Sequence, residues 1–111
     1  MGDGTILKML YHEVMSVGFG TKEYEKIFKA FANKRRLDII VYLCSQKEAI
    51  VGDIAKKIKL SFKATSKHLI ILSNANILDK EQRNLLVFYS IKKPLSNNIK
   101  SIIYLLSNSR E

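Results

Sequence analysis

The sequence predicts a mainly α-helical domain that carries one small β-hairpin. Three observations carry that expectation. Apolar residues recur at i, i+3, i+4 and i+7 along most of the chain, the period of an amphipathic helix. The period changes to two at Leu85, Val87, Tyr89 and Ile91, the alternation of a strand. A short helical segment, a tight turn and a second helical segment stand just before that change.

The elements follow in order. Residues 5–17 read as a helix with Ile6, Leu7, Met9, Leu10, Tyr11, Val14 and Met15 apolar over more than one face, and Gly18-Phe19-Gly20 breaks it. A second helix starts near Thr21 or Lys22, with Tyr24, Ile27, Phe28 and Phe31 on one stripe. Asn33 has the side chain of an N-cap for a third helix, residues 34–45, with Leu37, Ile40 and Cys44 inward. Residues 48–51 are a short extended lead-in. Val51, Ile54, Ala55 and Ile58 then mark a fourth helix of about two turns.

Leu60-Ser61 is the next turn, and Ser61 is suited to cap a fifth helix, residues 62–73, with Thr65, Leu69 and Leu72 inward. Asn76 ends that helix, because asparagine tolerates the left-handed conformation a C-terminus needs. Residues 77–82 and 85–91 read as strands around an Arg83-Asn84 turn. Pro94 opens a last helix, residues 94–107, where a first-turn proline is tolerated. Leu95, Ile99, Ile102, Ile103 and Leu106 line one stripe of it. A short helix, a turn, a second helix and a hairpin make a winged helix-turn-helix. Here the helix-turn-helix is residues 51–73 and the wing is residues 77–91, in a single domain of residues 1–111.

Composition narrows what such a domain does. At 111 residues there is one core, modest enough to gain from a partner surface. The formal charge of +9 comes from 19 Lys/Arg against 10 Asp/Glu, and such an excess suits a polyanionic partner. Its distribution is more telling. No acid lies between Asp53 and Asp79, where Lys56, Lys57, Lys59, Lys63 and Lys67 stand, whereas ordinary exposed helices mix signs. Cys44 is the single cysteine, so an intrachain disulfide is excluded and a reducing compartment fits. The longest run without Asp, Glu, Lys or Arg, His68 to Leu78, is too short for a bilayer. The N-terminus has no signal-peptide layout, and Ile6 stands where a myristoylation motif needs Ser or Thr. The expectation is a cytoplasmic protein without a membrane partner.

From about Tyr24 to Ile91 the chain resembles the ArsR family of bacterial and archaeal repressors. The match is carried by Phe31-Ala32-Asn33-Lys34-Arg35-Arg36-Leu37-Asp38-Ile39-Ile40, by Asp53-Ile54-Ala55-Lys56-Lys57-Ile58 and by Ser66-Lys67-His68-Leu69-Ile70-Ile71-Leu72. Ile77-Leu78-Asp79 entering the hairpin and Tyr89-Ser90-Ile91 leaving it resemble the family's wing. There are departures. Lys59 and Asn76 stand where glycine is common, and Arg83-Asn84 lacks the usual wing glycine. The family's metal-sensing members carry two cysteines where this chain has Ile50 and Gly52, and residues 95–109 hold neither histidine nor acid. Metal sensing is therefore not expected, nor is any cofactor.

The resemblance implies a transcription regulator, a repressor acting as a homodimer on an inverted-repeat operator in double-stranded DNA. A recognition helix offers its N-terminal outward residues to base edges in the major groove. Here those are Lys63, Ala64, Ser66 and Lys67, with Phe62 belonging either to core or to groove. Ser61, His68, Lys59, Lys80 and Arg83 are the expected phosphate contacts, with packing as the other reading of His68 and a minor-groove contact or a solvated turn as the other readings of Arg83. Lys34 and Arg35 oppose the dipole of the third helix, which points to a phosphate contact or to support of the core, and Arg36 reads as core support. Leu7, Leu10, Val14, Leu95, Ile99, Ile102, Ile103 and Leu106 are expected to form the dimer interface, because the first and last helices carry more apolar surface than one core covers. The alternative at that interface is that both helices close their own core. The alternative function is a winged-helix module for protein or RNA without operator specificity. An enzyme is not expected: the chain lacks a His-Glu-x-x-His motif, a glycine-rich phosphate loop and a clustered acidic pair, and Cys44 lies in an apolar stretch. No effector is legible.

Overall fold

Local capping chemistry sets the helix boundaries of the computed structural model, which describes residues 4–5 and 19–109. The expected helix 5–17, with Leu7, Leu10 and Val14, lies outside the described residues apart from Thr5. Helix α1 spans Thr21–Phe31, and Glu23 Oε1 reaches back to accept the Gly20 N–H at 2.8 Å. Helix α2 spans Lys34–Ser45, capped as expected by Asn33, whose Oδ1 accepts the Arg36 N–H at 3.1 Å. Strand β1 is Ala49–Ile50, and α3 follows at once as Val51–Ile58.

Lys59 ends α3 in the left-handed region at φ 58°, so the turn keeps the geometry for which glycine is usual. Ser61 Oγ accepts the Ala64 N–H at 3.1 Å and starts α4, Phe62–Asn74. Past its end Asn76 takes φ 61° and the Ile77 N–H bonds back to the Leu72 carbonyl at 3.0 Å, the glycine-like stop expected of it.

Strands β2 (Leu78–Arg83) and β3 (Leu86–Ile91) form the hairpin. Arg83 pairs with Leu86, so the turn is Asn84-Leu85, one residue later than expected. The slip follows from Asn84, which supplies the positive φ (56°) at the first turn position. The extended lead-in joins the sheet as well: β1 pairs antiparallel with β3, Ala49 opposite Tyr89, giving the order β1-β3-β2. The last helix, α5, is Asn97–Ser107 rather than a helix from Pro94. Ser96 Oγ caps it by accepting the Ile99 N–H, and Pro94 precedes the cap in a cis peptide.

Ile39, Ile40, Ile54, Leu69, Leu72 and Ile77 are wholly buried and join α2, α3, α4 and the sheet into one core. Two expectations about inward residues do not hold. Phe28 is 55% exposed, since Ile27, Ala30 and Phe31 carry the buried stripe of α1. Cys44 is exposed, with Leu43 taking the inward place beside it. No helix among the described residues is long and apolar enough to cross a membrane.

Candidate nucleic-acid interface

Helix α4 is held along one side and open along the other. Thr65, Leu69 and Leu72 are buried without residual exposure. On the opposite side Lys63 and Lys67 are exposed, and Ala64 and Ser66 are half-buried. Neither lysine has a carboxylate partner among the described residues, where every ion pair lies elsewhere. Lys56, Lys57 and Lys59 of the preceding helix and turn are exposed too and form no ion pair among those residues. Ser61 is exposed, but its hydroxyl oxygen is engaged as the α4 cap.

Two adjacent arginines fix both helices of the helix-turn-helix. Arg35 Nη1 donates to the Ile58 carbonyl at 2.6 Å, placing a cation on the C-terminal carbonyls of α3. Arg36 donates through Nε to the Ala30 carbonyl at 2.7 Å and through Nη2 to the Lys29 carbonyl at 3.0 Å, closing the C-terminus of α1. Its Nη1 lies 3.2 Å from His68 Nδ1 on α4. Because a guanidinium only donates, Nδ1 accepts and the His68 proton sits on Nε2. Burial first, then the charges of Arg36 and Arg35, lower the His68 pKa. His68 is thus a neutral, half-buried packing residue whose Nε2–H is its remaining donor. Arg36 supports the fold as the sequence suggests. Lys34, the third cation of that stretch, pairs with Asp38 at 3.1 Å.

The wing differs from expectation in its charge. The sequence suggests Arg83 over a minor groove or a phosphate. Its guanidinium instead binds Glu48, lies 3.2 Å from Glu81 Oε1 and stands 3.9 Å above the Phe88 ring. The hydrogen bond with Arg83 lowers the Glu48 pKa, and the same bond raises that of Arg83. Lys80 is exposed, with no ion pair among the described residues. The wing tip is apolar: Leu85 is 96% exposed and Leu86 49%. The sequence marked Leu85 only as a strand residue, and the partner Glu48, 35 residues from Arg83, gave no local signal.

The expected dimer residues divide. Ile99 and Ile103 are buried at 3% and 7% in the chain's own core, and Leu95, Ile102 and Leu106 pack half-buried against it. The open apolar side chains of α5 are Tyr104 and Leu105, while α1 contributes Phe28, stacked on Tyr24. Tyr24 Oη accepts a hydrogen bond from Asn98 of α5. Although the Cys44 side chain is exposed, desolvation by its surroundings raises its thiol pKa, which disfavours the nucleophilic thiolate. Among the described residues no group of three His, Cys, Asp or Glu is placed to hold a metal ion.

Residues 33–80 match the sequence profile of the family described as "Bacterial regulatory protein, arsR family". The arsenical resistance operon repressor of Bacillus subtilis (strain 168) is 31% identical over 80 residues, 72% of this chain and 76% of that protein. The transcriptional activator HlyU of Vibrio cholerae is 34% identical over 80 residues, 72% of this chain and 70% of its own length. The solved structure of HlyU covers 78% of this chain and 89% of that one, with a TM-score of 0.67 and 31% identity. A homodimeric winged helix-turn-helix DNA-binding domain from Mycobacterium bovis has the same fold at 23% identity and a TM-score of 0.67, covering 78% of this chain and 76% of that one.

Proposed function

Because the chain belongs to the arsR family of bacterial regulatory proteins, we propose that it is a repressor that sits as a homodimer on an inverted-repeat operator in duplex DNA. The observation that carries this reading is the leading end of α4, where Lys63 and Lys67 stand exposed with no carboxylate partner among the described residues. The lysines suit guanine O6 and N7 or phosphate oxygens, Ser66 a base or phosphate, and Ala64 a thymine methyl. Lys59, Lys80, the Ser61 hydroxyl and the His68 Nε2–H would hold the backbone. Arg83, already shared between two carboxylates, has little left to offer a phosphate. Two copies related by a two-fold axis would set their α4 helices about 34 Å apart, one turn of duplex. Occupancy would then exclude polymerase from a promoter in the cytoplasm.

One observation favours the alternative, a module that binds protein or RNA: the wing tip has an apolar end and an acid-neutralised cation. The test is selection of bound sequences from random duplex, followed by salt titration. Under the operator reading a palindromic motif emerges, and Lys67→Ala weakens binding or relaxes the preferred sequence. Steep loss of affinity with salt accompanies it. Weak, unselective binding would favour the alternative.

A further inference from the structure

We infer that Phe62 is a specificity-determining residue that reads the C5-methyl group of thymine in the major groove. This rests on duplex binding through α4, proposed above. Phe62 is the first residue of α4 and is 63% exposed. By helical phase it belongs with Thr65, Leu69 and Leu72, all buried, yet the core does not reach it. The reason is directional. Side chains on a helix tilt towards its N-terminus, so a ring on the first residue projects past the start of the helix. That end is the part of a recognition helix that meets base edges.

The chemistry there is otherwise polar. Lys63 and Lys67 donate hydrogen bonds and suit acceptors on guanine or phosphate. The Ser61 hydroxyl oxygen is engaged by the Ala64 N–H. The major-groove edge of each base pair is a pattern of donors and acceptors with one apolar mark, the thymine methyl. Neither lysine head can recognise that mark. Ala64 offers a single carbon and is half-buried. An exposed phenyl ring at the tip matches the mark in polarity and gains by leaving water against it. The ring contributes little to the core, which leaves its identity free to serve recognition.

The experiment uses the full chain and the duplex enriched from random DNA, with each thymine replaced in turn by deoxyuridine, which removes only the methyl. At one or two positions per half-site the unsubstituted protein should lose roughly fourfold in affinity, the worth of one buried methyl-sized group. At the position the ring reads, Phe62→Ser should bind the thymine and uracil duplexes equally and Phe62→Leu should restore part of the difference, while a methyl met by Ala64 stays discriminated in both. Thermal midpoints of the variants should match the parent, since the ring is exposed. Indifference of the unsubstituted protein to every replacement would overturn the inference, as would a Phe62→Ser variant that keeps the parent's discrimination at every position. Equal loss on both duplexes would assign the ring to a backbone or protein contact, against the inference. Phe62→Leu keeps the assignment testable if Phe62→Ser folds poorly, and indifference of the unsubstituted protein to the uracil scan overturns the inference without any variant. A pool in which no duplex is enriched overturns the operator reading itself, and this inference with it.

Discussion

Arg36 shows how much one side chain fixes. Its three hydrogen-bonding nitrogens hold two carbonyls at the end of α1 and the acceptor nitrogen of His68, so α1, α2 and α4 share one cation. Arg36→Ala leaves those groups to find water in a partly closed site. The expected cost is about 1–3 kcal/mol of stability, read by urea unfolding; an unchanged midpoint would show the bonds to be incidental. His68 adds a pH dependence whose sign is fixed by its environment. Its folded pKa lies below the ordinary 6.5, so the unfolded chain takes up the proton first. The contribution is therefore present above the unfolded value and lost as pH falls through the folded one. His68→Asn keeps an acceptor for Arg36 but cannot titrate. The difference in melting temperature between parent and variant should shrink or change sign as the pH falls below about 6.5; a constant difference would contradict the linkage. Supporting roles of this kind were only half legible. Arg36 reads as support from its place in the chain, but His68 lies 32 residues away and no local pattern names the pair. Cys44 and Phe28 were misplaced for a related reason: a helical stripe gives a face, and neighbours elsewhere in the fold decide which edge of it is covered.

At the level of elements, the sequence was most legible where a boundary depends on one side chain and its own backbone. Asn33, Ser61 and Asn76 act where and as their chemistry requires. It was least legible where a partner strand decides. Two residues cannot show a period, so β1 reads as an extended lead-in until β3 pairs with it. The turn slipped by one residue because Asn84, not Arg83, meets the need for positive φ. Ser96 caps the last helix, which therefore starts at Asn97 and not at Pro94 as the sequence suggests. Helix α4, set by its own cap and stripe, was legible almost to the residue, while the charge state of the wing was not. That contrast makes a prediction. Arg83 is already neutralised, so Arg83→Ala should leave the salt dependence of duplex binding unchanged. A Lys→Ala change at Lys59 or Lys80 should reduce the slope of log affinity against log salt by about 1 if that lysine meets a phosphate. Fluorescence anisotropy across a salt series separates the two, and a fall in slope for Arg83→Ala would mean that the guanidinium leaves Glu48 on binding.

On the scale of the whole molecule, two of the surfaces that the described residues leave open are the cationic end of α4 and the exposed apolar side chains of α1 and α5. The second bears on the first. Under the proposed operator reading, one reading head would span half of an inverted repeat, and only a fixed spacing between two heads would turn two weak contacts into a selective one. Tyr104 and Leu105 are 68% and 70% exposed, so the core does not need them. Covering a Leu-sized side chain is worth about 1.5–3 kcal/mol, and a two-fold interface counts each residue twice. Residues that face solvent in the monomer and a partner in the dimer can be made polar without unfolding the chain. Tyr104→Glu with Leu105→Glu should therefore give a folded monomer by sedimentation equilibrium. The midpoint of the parent should rise with protein concentration, as for any dimer whose assembly is linked to folding, and that of the double variant should not. Operator affinity should collapse towards that of a half-site. A double variant that still sediments as a dimer would place the interface elsewhere on the chain.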